Sequence, residues 1–270
     1  MKDYIKQIIE KIQDNNLARC IVREYLQARV LESLQENGAF TNWVFVGGTA
    51  LRLLYSMPRF SEDLDFSLVK SGVEDNFTEL MKKIKGTFET EDYKLTIKAK
   101  IEKTVKSAFL NFEGLLYEID ISPHRSETIS IKVEIDTNPP SGAGLETNVV
   151  RKHCLLNLHH YNKSSLFAGK LHALLSRRYV KGRDIYDLMW YLSDRTWPEP
   201  NIVLLNNALK QTGWKGKEIT DENWRKEIAI QISKYDWDKV ITDVSPFVEK
   251  QGDLAILTKE NLTKLLENKD

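Results

Sequence analysis

The chain has 270 residues, 39 basic and 39 acidic, so no net field draws in a polyanion and any nucleic-acid contact must come from a local basic face. Its 41% hydrophobic and 10% aromatic content excludes a disordered chain. Cys20 and Cys154 stand far apart without CxxC or other metal spacing, no run approaches the roughly 18 apolar residues of a membrane span, and no apolar stretch follows Met1. A cytoplasmic protein without a disulfide scaffold, zinc module or membrane attachment is expected.

In chain order, Leu17, Ile21, Leu26, Val30, Leu31 and Leu34 fall near one stripe and predict a helix over 4–36, stopped by Asn37-Gly38. The β-branched and aromatic run 43–46 predicts a strand, the glycine pair after it a tight turn, and 50–55 a helix that Pro58 ends. Residues 63–69 alternate carboxylates with Leu64, Phe66 and Leu68, as a strand does. A helix over 77–85 is followed by strand-like runs at 95–101, 107–112, 116–121 and 129–136. From 164 onward the pattern predicts helices at 165–178, 184–192, 202–210, 222–235 and 259–268. The fold class is therefore α+β: a mixed sheet with flanking helices over 1–140, then a mainly helical region over 141–270. The boundary falls at the turn formers Pro139-Pro140-Ser141-Gly142.

Chemistry concentrates in a few places. Asp63 and Asp65, two apart on a strand, project from one face while Leu64 and Phe66 point the other way. Two same-face carboxylates suit a divalent metal or, as the plainer reading, a solvated strand. Gly47-Gly48-Thr49 at a strand-to-helix turn permits close backbone approach and exposes N–H groups for a phosphate. The Thr49 hydroxyl is either a further phosphate donor or the helix N-cap. The turn matches neither the Walker nor the dinucleotide glycine pattern. Lys132, Glu134 and Asp136 share one face of a later strand; Glu134 is the chosen third carboxylate and Asp136 its rival. Arg52 and Arg59 are candidate phosphate contacts, Arg59 alternatively a brace for Asp63. Lys170, among leucines, either reaches out to water or meets an anion, and Asp184 suits an N-cap or first-turn acid. The five histidines show no metal spacing, and no Ser- or Cys-nucleophile pattern stands out.

The order of these motifs, GGTALRLLYSMPRFSEDLDFSL, then IKVEID, then LFAGKLHALLSRRYVKGRDIYDLMWYL, resembles the AbiEii/AbiGii toxin family of nucleotidyltransferases over about residues 43–192. The resemblance implies the polymerase-beta-type fold, with 141–270 completing the active-site cleft. It implies Gly47, Gly48 and Thr49 on the triphosphate, Asp63 and Asp65 on Mg²⁺, Lys170 on nucleotide phosphates, and Asp184 shaping or operating the site. The expected cofactor is a Mg²⁺ pair, with Mn²⁺ as an alternative. By the same likeness the chain is the toxin half of a type IV toxin–antitoxin or abortive-infection system, with a cognate antitoxin, transferring NMP from an NTP to an acceptor hydroxyl, tRNA foremost. Residues past 194 match no motif.

Lys152, Lys163, Arg177, Arg178, Lys181 and Arg183 are the candidate RNA-facing patch, against a solvated helical face. Two rival functions remain: nucleotidyl transfer to a protein or small molecule, which neutral charge suits, and a non-catalytic nucleotide-binding interaction protein, against which the dyad and Lys170 argue.

Overall fold

In a computed structural model, residues 2–177, 179 and 181–267 are described, and they fall into two compact units. The first comprises 1–56, 60–139 and 146–160; the second comprises 57–59, 140–145 and 161–270.

The first unit begins with α1 (Lys2–Ile9) and α2 (Asn15–Glu36). The single helix expected over 4–36 is broken because Asp14, in extended backbone, accepts the Asn16 and Leu17 N–H groups and starts a new helix. Next come β1 (Trp43–Val46), α3 (Gly47–Tyr55), β2 (Asp63–Leu68), α4 (Phe77–Thr90), β3 (Leu95–Lys100), β4 (Val105–Glu113), α5 (Leu115–Glu118), β5 (Thr128–Asp136), β6 (Leu145–Arg151) and β7 (Leu155–Tyr161). The strand expected at 116–121 is instead a short helix and a turn. Gly114 and Asp120 both adopt positive φ, which ends extended pairing on either side. The last two strands were not expected: β6 is exposed at nearly every position and shows no alternation.

The sheet runs β3-β4-β5-β2-β1-β7-β6, with β2 and β5 parallel at its centre and β1 antiparallel to β2. One face is apolar. Leu64 and Phe66 of β2, Ile131, Val133 and Ile135 of β5, and Ala108, Leu110 and Phe112 of β4 are all buried on it. Trp43 stacks on Phe77 with centroids 5.8 Å apart and meets Phe66 at 5.1 Å.

That burial fixes which way the carboxylates point. Burying Leu64 and Phe66 is worth about 1.5–3 kcal/mol each. Two carboxylates about 7 Å apart repel by roughly 0.6–2.4 kcal/mol between water-like and surface dielectrics. Apolar burial wins, and because a one-residue slip would turn every side chain over, Asp63 and Asp65 are held together on the other face.

The second unit holds α6 (Lys163–Ser176), α7 (Gly182–Ser193), α8 (Ile202–Gln211), α9 (Trp224–Ile232), α10 (Trp237–Val244) and α11 (Lys259–Glu267). Phe167 stacks on Tyr191 at 4.4 Å, and a Cβ on Gly182 would collide with the Val240 carbonyl, so α7 and α10 cross closely. The unexpected α10 is capped by Asp236, whose side chain accepts the Asp238 and Lys239 N–H groups. The predicted helix ends at Arg178 and Asn268 lie outside the described residues.

Candidate active site

In the first unit the candidate carboxylates come from neighbouring parallel strands. Asp65 lies opposite Glu134, and Asp63 opposite Lys132. All four are partly exposed on the face opposite the apolar one. Glu134 Oε1 stands 2.7 Å from Lys132 Nζ. Asp136 lies one step on, opposite Ser67, and its carboxylate accepts the Asn138 N–H at 2.9 Å to close the following turn. Of the two rivals, Glu134 is the one in register with Asp65.

The glycine turn meets this face directly. Gly47 adopts φ +81°, and a Cβ there would collide with the Asp65 carboxylate. Glycine is thus required twice, by conformation and by space. The N-cap of α3 is Val46, which contributes no side-chain cap, so the first-turn N–H groups of Gly47, Gly48 and Thr49 are left to other acceptors. The Thr49 hydroxyl is neither cap nor open donor. It is buried and donates to the backbone carbonyl of Asp63, tying α3 to the start of β2.

Arg52 is placed differently from its expected phosphate role. It is buried, its Nε lies 2.5 Å from Glu24 Oε2, and its guanidinium covers the Phe60 ring at 4.4 Å. Burial pushes the Glu24 carboxyl up, but the nearby His153 ring, the hydrogen bond from Arg52 and the Arg52 and Lys152 charges outweigh it and hold the pKa at about 2.

The second unit gathers the other candidates into a buried charge cluster. Arg59 braces Asp187: its Nε and Nη2 donate to the two carboxylate oxygens at 2.5 and 2.6 Å, a fork geometry that guanidinium favours. Lys170 Nζ stands 2.7 Å from Asp187 Oδ2 and 3.2 Å from Asp184 Oδ1, and Arg177 pairs with the other Asp184 oxygen. Asp184 is the third residue of α7, a first-turn acid rather than the N-cap, which is Lys181. Burial alone would lower the Lys170 pKa; Asp187 and Asp184 outweigh it and raise it. Burial would raise Asp187; Arg59 and Lys170 outweigh it and hold it down. Three cations against two carboxylates leave a formal surplus of one positive charge. Asp187 is the residue that sequence reasoning missed. Its signal was the i, i+3 spacing from Asp184, which puts both carboxylates on one helix face.

Of the expected basic patch, Lys152, Lys163, Arg177 and Arg183 each have a partner in the structure. Lys152 belongs to the first unit, with Nζ 3.4 Å from Glu24. In the second unit Arg177 pairs with Asp184, Arg183 covers the Phe247 ring at 4.3 Å and Lys163 the Trp197 ring at 4.4 Å. Arg178 lies outside the described residues.

Among the described residues, no group of three or more His, Cys, Asp or Glu side chains is gathered to hold a metal ion by itself. The Asp65 carboxylate against Gly47, with Glu134 in register, nevertheless fits a hard cation such as Mg²⁺. That ion is commonly held by one or two carboxylates together with substrate phosphates rather than by a protein cage.

A carboxylate pair beside a glycine turn is compatible with several chemistries, and comparison with known families decides among them. The family model for the nucleotidyl transferase AbiEii toxin of type IV toxin–antitoxin systems matches residues 29–266. The chain belongs to the AbiEii family. It is a nucleotidyltransferase of the toxin type, and membership implies an NTP substrate and an antitoxin partner. The AbiEii match runs on to 266, well beyond the 43–192 stretch that carried the resemblance.

No curated protein matches the chain in sequence. In fold it is similar to MenT4, a nucleotidyltransferase toxin from Mycobacterium tuberculosis, at 16% identity over 100% of this chain and 90% of that one, with a TM-score of 0.61. It is also similar to JHP933 from Helicobacter pylori, at 19% identity over 92% and 90% of the two chains, with a TM-score of 0.55. These likenesses carry the α+β fold of a mixed seven-stranded sheet with flanking helices. No helix among the described residues is long and apolar enough to cross a membrane.

Proposed function

We propose that this AbiEii-family toxin transfers NMP from an NTP to a hydroxyl of an RNA acceptor, tRNA foremost, in the cytoplasm where both substrates reside. The observation that carries the site assignment is the Asp65 carboxylate seated against Gly47 at the start of α3, with Glu134 opposite it. Carboxylates and helix N–H groups that no side chain caps, side by side, suit a nucleotide whose phosphates carry a cation.

Asp63, Asp65 and Glu134 would hold Mg²⁺, or Mn²⁺ in its place, and the glycine turn would receive the triphosphate through the N–H groups of Gly47, Gly48 and Thr49. When bound, the metal pair neutralises phosphate charge and stabilises the attacking and leaving oxygens. In the transfer the acceptor hydroxyl gives up its proton to solvent as its oxygen forms a bond to the α-phosphorus, the bond to the β-phosphate oxygen breaks, and pyrophosphate leaves with that electron pair. Lys132, paired with Glu134, orients that carboxylate. Thr49 fixes the strand that carries Asp63. Lys170 is held charged by Asp187 and Asp184 within the helical unit.

The test is incubation with each α-labelled NTP, Mg²⁺ and total RNA. The reading expects label on an RNA band, lost with EDTA. Label on protein alone, or none under any NTP, contradicts it.

A further inference from the structure

The open face of the sheet continues past the carboxylates. Strand register places Lys98, Phe109, Lys132 and Asp63 in one row across β3, β4, β5 and β2, and Lys100, Ser107, Glu134 and Asp65 in the next. Phe109 is 41% exposed although aromatic, and Lys132 Nζ lies 5.8 Å from its ring centroid. Asn111 and Ser130 flank it on the same face, hydrogen-bonded to each other at 2.7 Å. Strands lie about 4.8 Å apart, so the Phe109 ring stands about 10 Å from Asp63, and Lys98 about 14 Å.

We propose that Phe109, with Lys98, Lys100 and Lys132, is a stacking platform for single-stranded RNA that leads the acceptor end toward Asp63 and Asp65. The proposal rests on the RNA-acceptor reading above and supplies the surface that reading lacks. An exposed ring offers its face to any base, and lysines on either side can meet the flanking phosphates. The charges are graded along the rows: cations lie on the edge strand, and carboxylates lie at the end where a metal-bound nucleotide would meet the RNA.

Lysines on an edge strand also discourage pairing with another chain. That accounts for Lys98 and Lys100 but not for Phe109, which lies on the second strand and raises rather than lowers the stickiness of the face. The neighbours of Phe109 are polar or charged, so the face lacks the continuous apolar area that a protein partner would bury.

The experiment measures fluorescence anisotropy of a labelled ten-nucleotide single-stranded RNA with the full chain, at several salt concentrations. Phe109→Ala is expected to weaken binding about ten-fold, within the range for base–aromatic stacking, and Phe109→Trp to restore it. Lys98→Gln with Lys100→Gln should flatten the salt dependence by about 1.4 in slope. In transfer assays the KM for RNA rises in Phe109→Ala while the KM for NTP does not. RNA binding that is absent in the wild type, or equal in Phe109→Ala and wild type, overturns the platform. Binding is read without turnover, so label that reaches no RNA refutes the acceptor reading separately and leaves the anisotropy result to decide this one.

Discussion

The two charged centres of this chain are built on opposite plans. On the sheet face, Asp63, Asp65 and Glu134 are of one sign, partly exposed, and held near one another by apolar residues on the reverse of their own strands. In the helical unit, Arg59, Asp184 and Asp187 are buried, and with the largely covered Lys170 they pair in alternation. A buried, paired cluster accounts for itself, because each charge satisfies the next. The sheet face instead gathers three carboxylates around Lys132, and that excess of negative charge suits a bound cation.

Asp187→Ala should break the helical unit most severely. It removes the carboxylate that both Arg59 and Lys170 use, and stranding a buried charge costs about 3–5 kcal/mol. Urea unfolding checks this, and a loss under 1 kcal/mol would dissolve the contrast between the two centres.

Acid sharpens the comparison next. Glu24 has a folded pKa of about 2 against an ordinary 4.5, so its contribution is fully present above pH 4.5 and is lost as pH falls toward 2. The shift corresponds to a contribution on the order of 3 kcal/mol. Urea midpoints between pH 5 and 2 should therefore fall more steeply in the wild type than in Glu24→Gln. A parallel pair of curves would show that the Arg52–Glu24 pair is not the acid-sensitive element.

Gly47→Ala strains a residue at positive φ by about 1–3 kcal/mol and pushes on the Asp65 carboxylate. Nucleotide transfer should fall more than ten-fold, well beyond what the modest drop in unfolding midpoint explains. Asp14→Ala removes a helix cap that belongs to neither charged centre and should cost about 1 kcal/mol while leaving transfer unchanged.

Much of the sheet-face site was legible because local rules govern it. A β-branched run, two glycines and an amphipathic helix predict the strand, turn and α3, and strict alternation places Asp63, Asp65 and Glu134 on one face. Partner choice was not legible. Nothing local tells Arg52 to bury itself against Glu24, 28 residues away in sequence, or Arg59 to fork onto Asp187, 128 residues away. Each needed the tertiary fold. β7 did carry a signal, since Leu156, Leu158 and His160 alternate and are buried, but two adjacent histidines hid it. β6 carried none, and residues 116–121 read as a strand because a short helix and turn with four apolar positions has no period of its own.

The central claim, that the sheet-face carboxylates are gathered for transfer rather than for stability, meets its most direct test in Asp65→Asn. Label transfer from α-labelled NTP to RNA and the unfolding midpoint are measured on the same preparation. The account predicts transfer reduced by orders of magnitude with the midpoint unchanged or slightly raised, because one of two repelling charges is gone. Undiminished transfer, or loss of transfer that merely tracks unfolding, would contradict it.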